Sequence, residues 1–294
     1  MCNFPDLNRF LLKPDLSGKA GADHVKAWLE YKDKSLEDDD GKKVTDPDSS
    51  DAAREFYGIM WDDFLKNTGF RLRPKVVSPD EDPEKYVQGD WMCSVATTLG
   101  KGLVLYVKKH PESKIKGQRN GVGGYETYAP ALLEDIKKET NQQQYSEIWG
   151  DPCLQDFIRS AYTFANLIIV PDGFNFSRNC TTKDYWDKTL EKYFNNQESL
   201  QCETKKEDEI IIYDRGKQFH DLVKASRDNG GDELFLDEWF HNDKKSIKML
   251  PNKKLTKLDW PDGWHALMQE MTDRIDNRRV QMQVRINELM KRKR

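Results

Sequence analysis

Arg215 and His220 are the residues of this sequence whose types and spacing best suit a reaction. They lie five positions apart in the segment RGKQFH, so both side chains can project from one helix surface. An imidazole transfers protons near neutral pH, and a guanidinium stabilises negative charge that develops during a reaction. The pair is therefore the candidate catalytic site of the chain.

The same segment resembles the RxxxxH motif of HEPN ribonucleases. That resemblance implies a metal-independent RNase, in which His220 acts as acid or base on a 2′-hydroxyl and Arg215 stabilises the phosphorane. The family usually carries a polar residue just after the arginine, whereas Gly216 and Lys217 stand there in this chain. Roughly one pair at such a spacing is expected by chance in a chain of this composition.

A basic, glycine-rich loop at 108–124 is the second place where chemistry is conceivable. Lys114, Lys116 and Arg119 lie there beside several glycines, and such a loop can cradle a phosphate or a nucleic-acid backbone. No GK[ST] follows, so the segment is not a Walker loop. A surface loop without a ligand is the other interpretation.

The local sequence gives no support for a metal site or a cofactor. The five cysteines are widely spaced without a CxxC pair, which favours reduced thiols over a disulfide framework or structural zinc. His24, His110, His241 and His265 form no HExxH or HxH pair. The acidic segment 33–51 lacks the register of a calcium loop, so we expect a solvated loop there.

The long helix predicted at 264–290 carries Arg278 and Arg285 on its apolar stripe. An arginine in such a position needs a carboxylate partner or must extend to water. Three interpretations follow: an ion pair inside the fold, a surface for a partner protein, or a phosphate contact. The KRKR end, 291–294, is a solvated tail or touches nucleic acid. The stripe consists of Trp264, Met268, Met271, Ile275, Met282 and Leu289.

The composition describes a folded, strongly polar chain of 294 residues. Hydrophobic residues make up 37% and charged residues 33%, while 11% aromatic residues argue against disorder. The net charge of -4 gives the whole chain no drive toward nucleic acid or anionic membranes. The start lacks the pattern of a signal peptide, and no apolar run is long enough for a membrane span. We therefore expect a cytoplasmic protein.

The periodicity of apolar residues predicts a helix-dominated α+β fold, with 1–294 as a single domain. We expect helices at 51–66, 185–194, 210–225 and 233–240. A small antiparallel β element is predicted at 92–107, where Gly100-Lys101-Gly102 has the composition of a turn. The segment 152–170 predicts a buried helix that ends in the strand-like LIIVP.

Several blocks resemble an uncharacterised bacterial family, a domain of unknown function without an assigned activity. They are the DPDS loop and aromatic helix at 46–61, TFANLIIVP at 163–171, YWDKTLEKYF at 185–194, RGKQF to FLDEWF within 215–240, and NRRVQMQVRI at 277–286. The similarity covers about half of the chain and leaves out 92–124. It implies a shared core and assigns no catalytic residue.

Two functions from different classes remain open. The first is a non-enzymatic interaction module that binds a protein partner through the arginine-bearing C-terminal helix. The alternative is a nucleic-acid-directed protein, an RNase that acts through Arg215 and His220 and uses local basic patches.

Overall fold

In a computed structural model of the chain, helices dominate and the strands are short, so the protein has the α+β fold that the sequence predicts. The structure describes residues 7, 18–33, 36–37, 43–44, 48, 50–74, 85–115, 134–172, 174, 186–195, 202–206, 209–213, 217–251 and 259–292. The helices are α1 (Gly21–Asp33), α2 (Asp51–Met60), α3 (Asp62–Thr68), α4 (Val95–Lys109), α5 (Glu139–Trp149), α6 (Pro152–Ala161), α7 (Trp186–Asn195), α8 (Lys217–Asp228) and α9 (Asp262–Arg292).

A three-stranded sheet lies at the centre of the core. The strand β4 is antiparallel to β5 and parallel to the short β3, with Val87 opposite Pro171 and Trp91 opposite Leu167. All five residues of β5 are buried, as expected for a continuous apolar strand covered on both faces. The predicted helix followed by LIIVP is therefore confirmed. The strands are β1 (Leu36–Glu37), β2 (Lys43–Val44), β3 (Arg71–Leu72), β4 (Tyr86–Trp91), β5 (Leu167–Pro171), β6 (Cys202–Lys206) and β7 (Glu209–Tyr213).

The β element predicted at 92–107 is wrong, because this segment forms the helix α4. Ser94 caps the helix, and its hydroxyl accepts from the N–H of Thr97 at 3.3 Å. The glycines that suggested a turn lie inside the helix. Gly102 packs directly against the indole of Trp264, where a Cβ would overlap the ring. This glycine permits a close helix contact instead of a turn.

One further helix prediction holds only in part, and another is wrong. The predicted helix at 210–225 begins only at Lys217, because the apolar EIIIY segment before it pairs as β7 with β6. The segment 233–240 contains only a single 3₁₀ turn, at Asp237–Trp239. The side chain of Asp232 accepts from the N–H groups of Leu236 and Asp237, which holds this segment in a tight loop.

The predicted helix at 51–66 is present as α2 and α3, which meet at Trp61. Its N-cap is Ser50, one residue earlier than expected, and it ends at Gly69, whose φ of 75° suits a glycine C-cap. The helices predicted at 185–194 and 264–290 are confirmed as α7 and α9.

The two predicted loops are only partly described. Within 33–51 the strands β1 and β2 pair with each other, and the backbone carbonyl of the buried Asp48 accepts from the Tyr57 hydroxyl at 2.9 Å. Within 108–124 the first two residues belong to α4, and residues 116–124 lie outside the described residues. No helix in the described part of the chain has the length and apolar character needed to cross a membrane.

Candidate functional site

Arg278 lies at the middle of α9 and is completely buried. Its Nε donates to the carbonyl of Phe235 at 3.0 Å, and its Nη2 donates to that of Leu234 at 3.0 Å. Its Nη1 donates to the carbonyls of Ala165 and Leu167, the latter at 2.7 Å. Burial lowers the pKa of Arg278 to about 9, so the side chain keeps its charge at neutral pH.

These bonds give Arg278 a structural role. The guanidinium joins α9 to the start of β5 and to the loop at Phe235, whose positive φ of 57° is uncommon for a bulky residue. The assignment of Arg278 to a partner-binding surface is therefore wrong, because no part of its side chain reaches solvent. The expected carboxylate partner is replaced by backbone carbonyls.

Arg285 lies two turns further along α9 and takes part in an ion pair. Its Nη2 is 2.7 Å from the carboxylate of Asp63 on α3, and Arg292 approaches the same carboxylate at 3.4 Å. About a quarter of the Arg285 side chain is exposed. The pair holds the end of α9 against α3, as the ion-pair interpretation of this residue predicts.

The opposite face of the same part of α9 carries two apolar residues that are open to solvent. Val280 and Val284 are 63% and 54% exposed, and they are the large hydrophobic residues that are exposed within the described residues. They lie one helical turn apart, and Asn277 and Asn287 continue the row at both ends. We call Asn277, Val280, Val284 and Asn287 the outward row. A helical row with spacings of three and four residues is the pattern on which another helix packs.

The sequence around the outward row has an excess of basic residues, and one carboxylate, that of Glu238, accepts from the Asn277 side chain of the row at 3.2 Å. Six basic residues and one acidic residue, Glu288, lie between positions 279 and 294. Arg279 approaches Asp276 at 3.5 Å, and Lys291 is exposed. The last two basic residues, at 293 and 294, lie outside the described residues.

His220 lies on α8 and lines a cavity of about 40 Å³. The imidazole is 6% exposed, and the described side chains around it are apolar. Because of this burial, the imidazole does not face a surface on which an RNA strand can lie. Arg215, its predicted catalytic partner, lies outside the described residues. Lining residues include Ile169, Val170, Trp186, Leu190, Phe219 and Val223.

Lys114 is the one predicted phosphate-binding residue that the structure describes. Its side chain is exposed. Ser113 beside it fixes the backbone, because its hydroxyl accepts from the N–H of Ile115 and donates to Gln144 at 2.9 Å. Lys116 and Arg119 lie outside the described residues, so the predicted cluster of cations stays a prediction.

Asp151, Cys153 and His265 form a cluster of metal-ligating groups that the sequence did not predict. One donor atom from each lies within 4.8 Å of the other two. Burial and the charge of Asp151 raise the pKa of the Cys153 thiol, which disfavours a nucleophilic thiolate. The local signal is Asp-Pro-Cys, but His265 follows more than one hundred residues later. A search for short motifs does not connect them.

Buried ionisable groups also surround the inner side of α9. Lys101 on α4 is 1% exposed, and burial together with the charge of Lys188 lowers its pKa to about 6. Burial raises the pKa of Asp187, whose carboxylate accepts from the N–H of Leu250 at 3.0 Å. The sequence does not indicate that Lys101 is buried, because this residue stands between the two glycines that suggested a turn.

Comparisons of the chain with models of protein families, with curated proteins and with solved structures gave no significant match. The resemblance to an uncharacterised bacterial family therefore stays a prediction. The function rests on the geometry alone.

Proposed function

We propose that this protein is a non-enzymatic interaction module whose outward row on α9 binds an amphipathic helix of an acidic partner protein. The observation that carries the proposal is the exposure of Val280 and Val284 on a helix whose other face is firmly buried. Exposed apolar residues in a row on a polar surface mark contact sites more often than single ones do.

The rigidity of α9 supports this proposal. The helix has 31 residues and is therefore about 46 Å long. Arg278 fixes its middle through the carbonyls of two separate segments, and Arg285 fixes its end to Asp63. The outward row is thus held in place before a partner arrives, which lowers the entropy lost on binding.

The valines alone give too little free energy for a stable complex. Full burial of both contributes about 3 kcal/mol, less than the roughly 4 kcal/mol of a millimolar complex. The excess of basic residues around the row favours an acidic partner and steers its approach, and further contacts of the partner helix supply the remaining free energy. A second copy of this chain would bring the same cations together, so charge favours a different, acidic protein.

The alternative, an RNase, has less support from the described residues. Its histidine, His220, lies in an apolar cavity rather than on an open surface, and its arginine lies outside the described residues. We therefore retain the interaction module as the first function.

A designed peptide tests the proposal and takes the place of the natural partner. The probe is a fluorescein-labelled helical peptide with leucines in a three-four repeat and glutamates elsewhere, and its anisotropy reports binding. We expect binding to the wild-type protein, weakening with added salt, and a loss of tenfold or more in affinity for Val280→Asp and Val284→Asp. A peptide with lysines in place of the glutamates should not bind.

Ala266→Asp is the matched control, because Ala266 is exposed on the same helix and lies about 27 Å from Val284. Equal binding by Val284→Asp and Ala266→Asp would contradict the proposal, and so would the absence of binding to the wild type. A wild-type dimer in light scattering that Val284→Asp converts to a monomer would identify a second copy as the occupant. Equal affinity for a labelled single-stranded RNA would favour nucleic acid instead.

A further inference from the structure

Three different metal-ligating side chains meet where the start of α6 packs beside the start of α9. The carboxylate of Asp151 contacts the Nε2 of His265 at 2.7 Å, and the Sγ of Cys153 completes a triangle of donors within 4.8 Å. Two donors of one tetrahedral zinc ion lie about 3.3–3.5 Å apart. Shifts of about 1 Å therefore bring the donors to coordination distance.

The local sequence explains why Asp151 and Cys153 present their side chains together. Asp151 is the N-cap of α6, and its Oδ1 accepts from the N–H groups of Cys153 at 2.9 Å and Leu154 at 3.2 Å. Pro152 occupies the first helical position, which fixes the backbone between the two donors. The capping bonds orient the carboxylate and leave Oδ2 directed at His265.

The third donor is held by an equally firm element. His265 lies in the first turns of α9, and its N–H donates to the carbonyl of Pro261 at 2.9 Å. Its neighbour Trp264 is fully buried and donates from Nε1 to the carbonyl of Thr98 at 3.0 Å. Because α6 and α9 also pack along their lengths, the donors are arranged before any ion binds.

We propose that Asp151, Cys153 and His265 bind one Zn²⁺ ion, with a fourth position open to water. Carboxylate, thiolate and imidazole are all zinc ligands, and the thiolate disfavours the hard cations Mg²⁺ and Ca²⁺. Binding of Zn²⁺ displaces the thiol proton, and the ion compensates the charges of the resulting thiolate and of the carboxylate. Three protein ligands and an open position match the arrangement of zinc sites that keep a water.

The site is accessible and independent of the outward row. The side chain of His265 is 31% exposed and that of Asp151 is 12% exposed, so an ion can enter from solvent. Along α9, His265 lies about 28 Å from Val284. The bound ion would link α6 to α9, and it would add stability to the folded state that grows with the logarithm of its affinity.

Cobalt substitution in the full-length reduced protein tests this proposal. Co²⁺ in a tetrahedral site with one thiolate gives a near-ultraviolet sulfur-to-metal charge-transfer band and visible d–d bands. We expect one equivalent of Co²⁺ to produce both, Zn²⁺ to remove them by displacement, and Zn²⁺ to raise the melting temperature. Cys153→Ser should abolish the charge-transfer band. His265→Asn should weaken Zn²⁺ binding by roughly a hundredfold or more, since even supporting residues of metal sites contribute ten- to hundredfold.

His110→Asn is the control variant, because His110 forms a comparable imidazole–carboxylate pair with Glu112 at 3.1 Å, and within the described part of the chain this pair belongs to no group of three metal donors. It should bind Zn²⁺ like the wild type. The wild type itself provides a second measurement if a variant fails to fold, since Zn²⁺ should protect Cys153 from alkylation as read by mass spectrometry. No charge-transfer band and no protection in the wild type, or unchanged binding in Cys153→Ser, overturns the proposal.

Discussion

The first and second halves of α9 belong to one continuous helix but have different surroundings. Up to Arg278, the helix presents Trp264, Met268, Met271 and Ile275 to the core, each at most 1% exposed. Beyond Arg278 the helix still buries Met282 and Ile286, while Val280 and Val284 on its other side face solvent. Both halves therefore bury one side of the helix, and within the described residues only the exposed side of the second half carries large apolar side chains.

The charges of the two halves differ in the same way. In the first half, Arg274 is 3% exposed beside Glu270, and Arg278 is satisfied entirely by backbone carbonyls. In the second half, Arg285 and Arg292 share the carboxylate of Asp63 near the surface. An arginine on an apolar row can therefore be a core residue or a surface residue. The difference depends on what the rest of the fold places opposite it.

The largest expected effect separates the two arginines. Arg278→Met leaves four carbonyls without this donor, and the three that are fully buried cost about 1–3 kcal/mol each. We expect the free energy of unfolding to fall by about 4 kcal/mol or more in urea denaturation. Arg285→Met should lower it by about 1 kcal/mol, because its ion pair is partly exposed. Equal losses of the free energy of unfolding in the two variants would contradict the different roles of Arg278 and Arg285.

A second pair of variants tests whether the second half of α9 has one buried face and one exposed face. Met282 is fully buried, so Met282→Ala should lower the free energy of unfolding by about 2–5 kcal/mol. Val284→Ala removes an exposed side chain and should change it by about 0.5 kcal/mol or less. Thermal melts of both variants provide the measurement. A large loss for Val284→Ala would mean that this residue is covered within the protein.

The contact between α4 and the first half of α9 depends on the absence of a side chain. Gly102→Ala places a methyl group into the indole of Trp264, and such overpacking costs about 1–3 kcal/mol. Gly58→Ala in α2 is the control, since its methyl would meet only Leu72 at 3.9 Å. Alanine is the better helix former by about 1 kcal/mol, so this control should be neutral or stabilising in the same denaturation experiment.

The last comparison concerns Lys101, which differs from Arg278 because its pKa lies below neutral pH. Its pKa is about 6 in the folded protein and 10.5 ordinarily. Between these values the unfolded chain holds a proton that the folded protein lacks, so the contribution of this group to stability rises with pH. Below about pH 6 the Lys101 amine is protonated in both the folded and the unfolded protein. It then no longer makes the stability depend on pH.

Lys101→Met should therefore flatten the rise of stability between about pH 7 and pH 9, by up to about 1.4 kcal/mol per pH unit. Urea denaturation at both pH values measures the change. Lys109→Met, at the exposed end of α4, should keep the wild-type slope. A wild-type slope in Lys101→Met would show that the buried amine stays charged.

Local patterns predict the elements of this fold that are specified by continuous stretches of sequence. The apolar run LIIVP gives β5, and the long stripe from Trp264 onward gives α9. Local patterns fail where a contact with a residue far away in the sequence determines the structure. Gly102 resembles a turn residue in the sequence, because the indole that requires it lies more than one hundred and fifty residues later.

The candidate sites show the same limit. Arg278 and Arg285 have equal positions in the helical pattern, and only tertiary packing separates their roles. The donors Asp151 and Cys153 are neighbours, but His265 comes from a distant helix. The exposure of Val280 and Val284 also depends on which face the other helices cover, and a single sequence does not show this.

The carbonyl contacts of Arg278 also bear on the order of events during synthesis. The carbonyls of Ala165 and Leu167 are made 113 and 111 residues before the guanidinium that binds them. A ribosome adds roughly 5–20 residues per second. The two carbonyls therefore lack their Arg278 donor for several seconds, while the core is still incomplete. Strand β5 therefore acquires this contact only after α9 has been synthesised. The bonds from Arg278 belong to the late steps that complete the core.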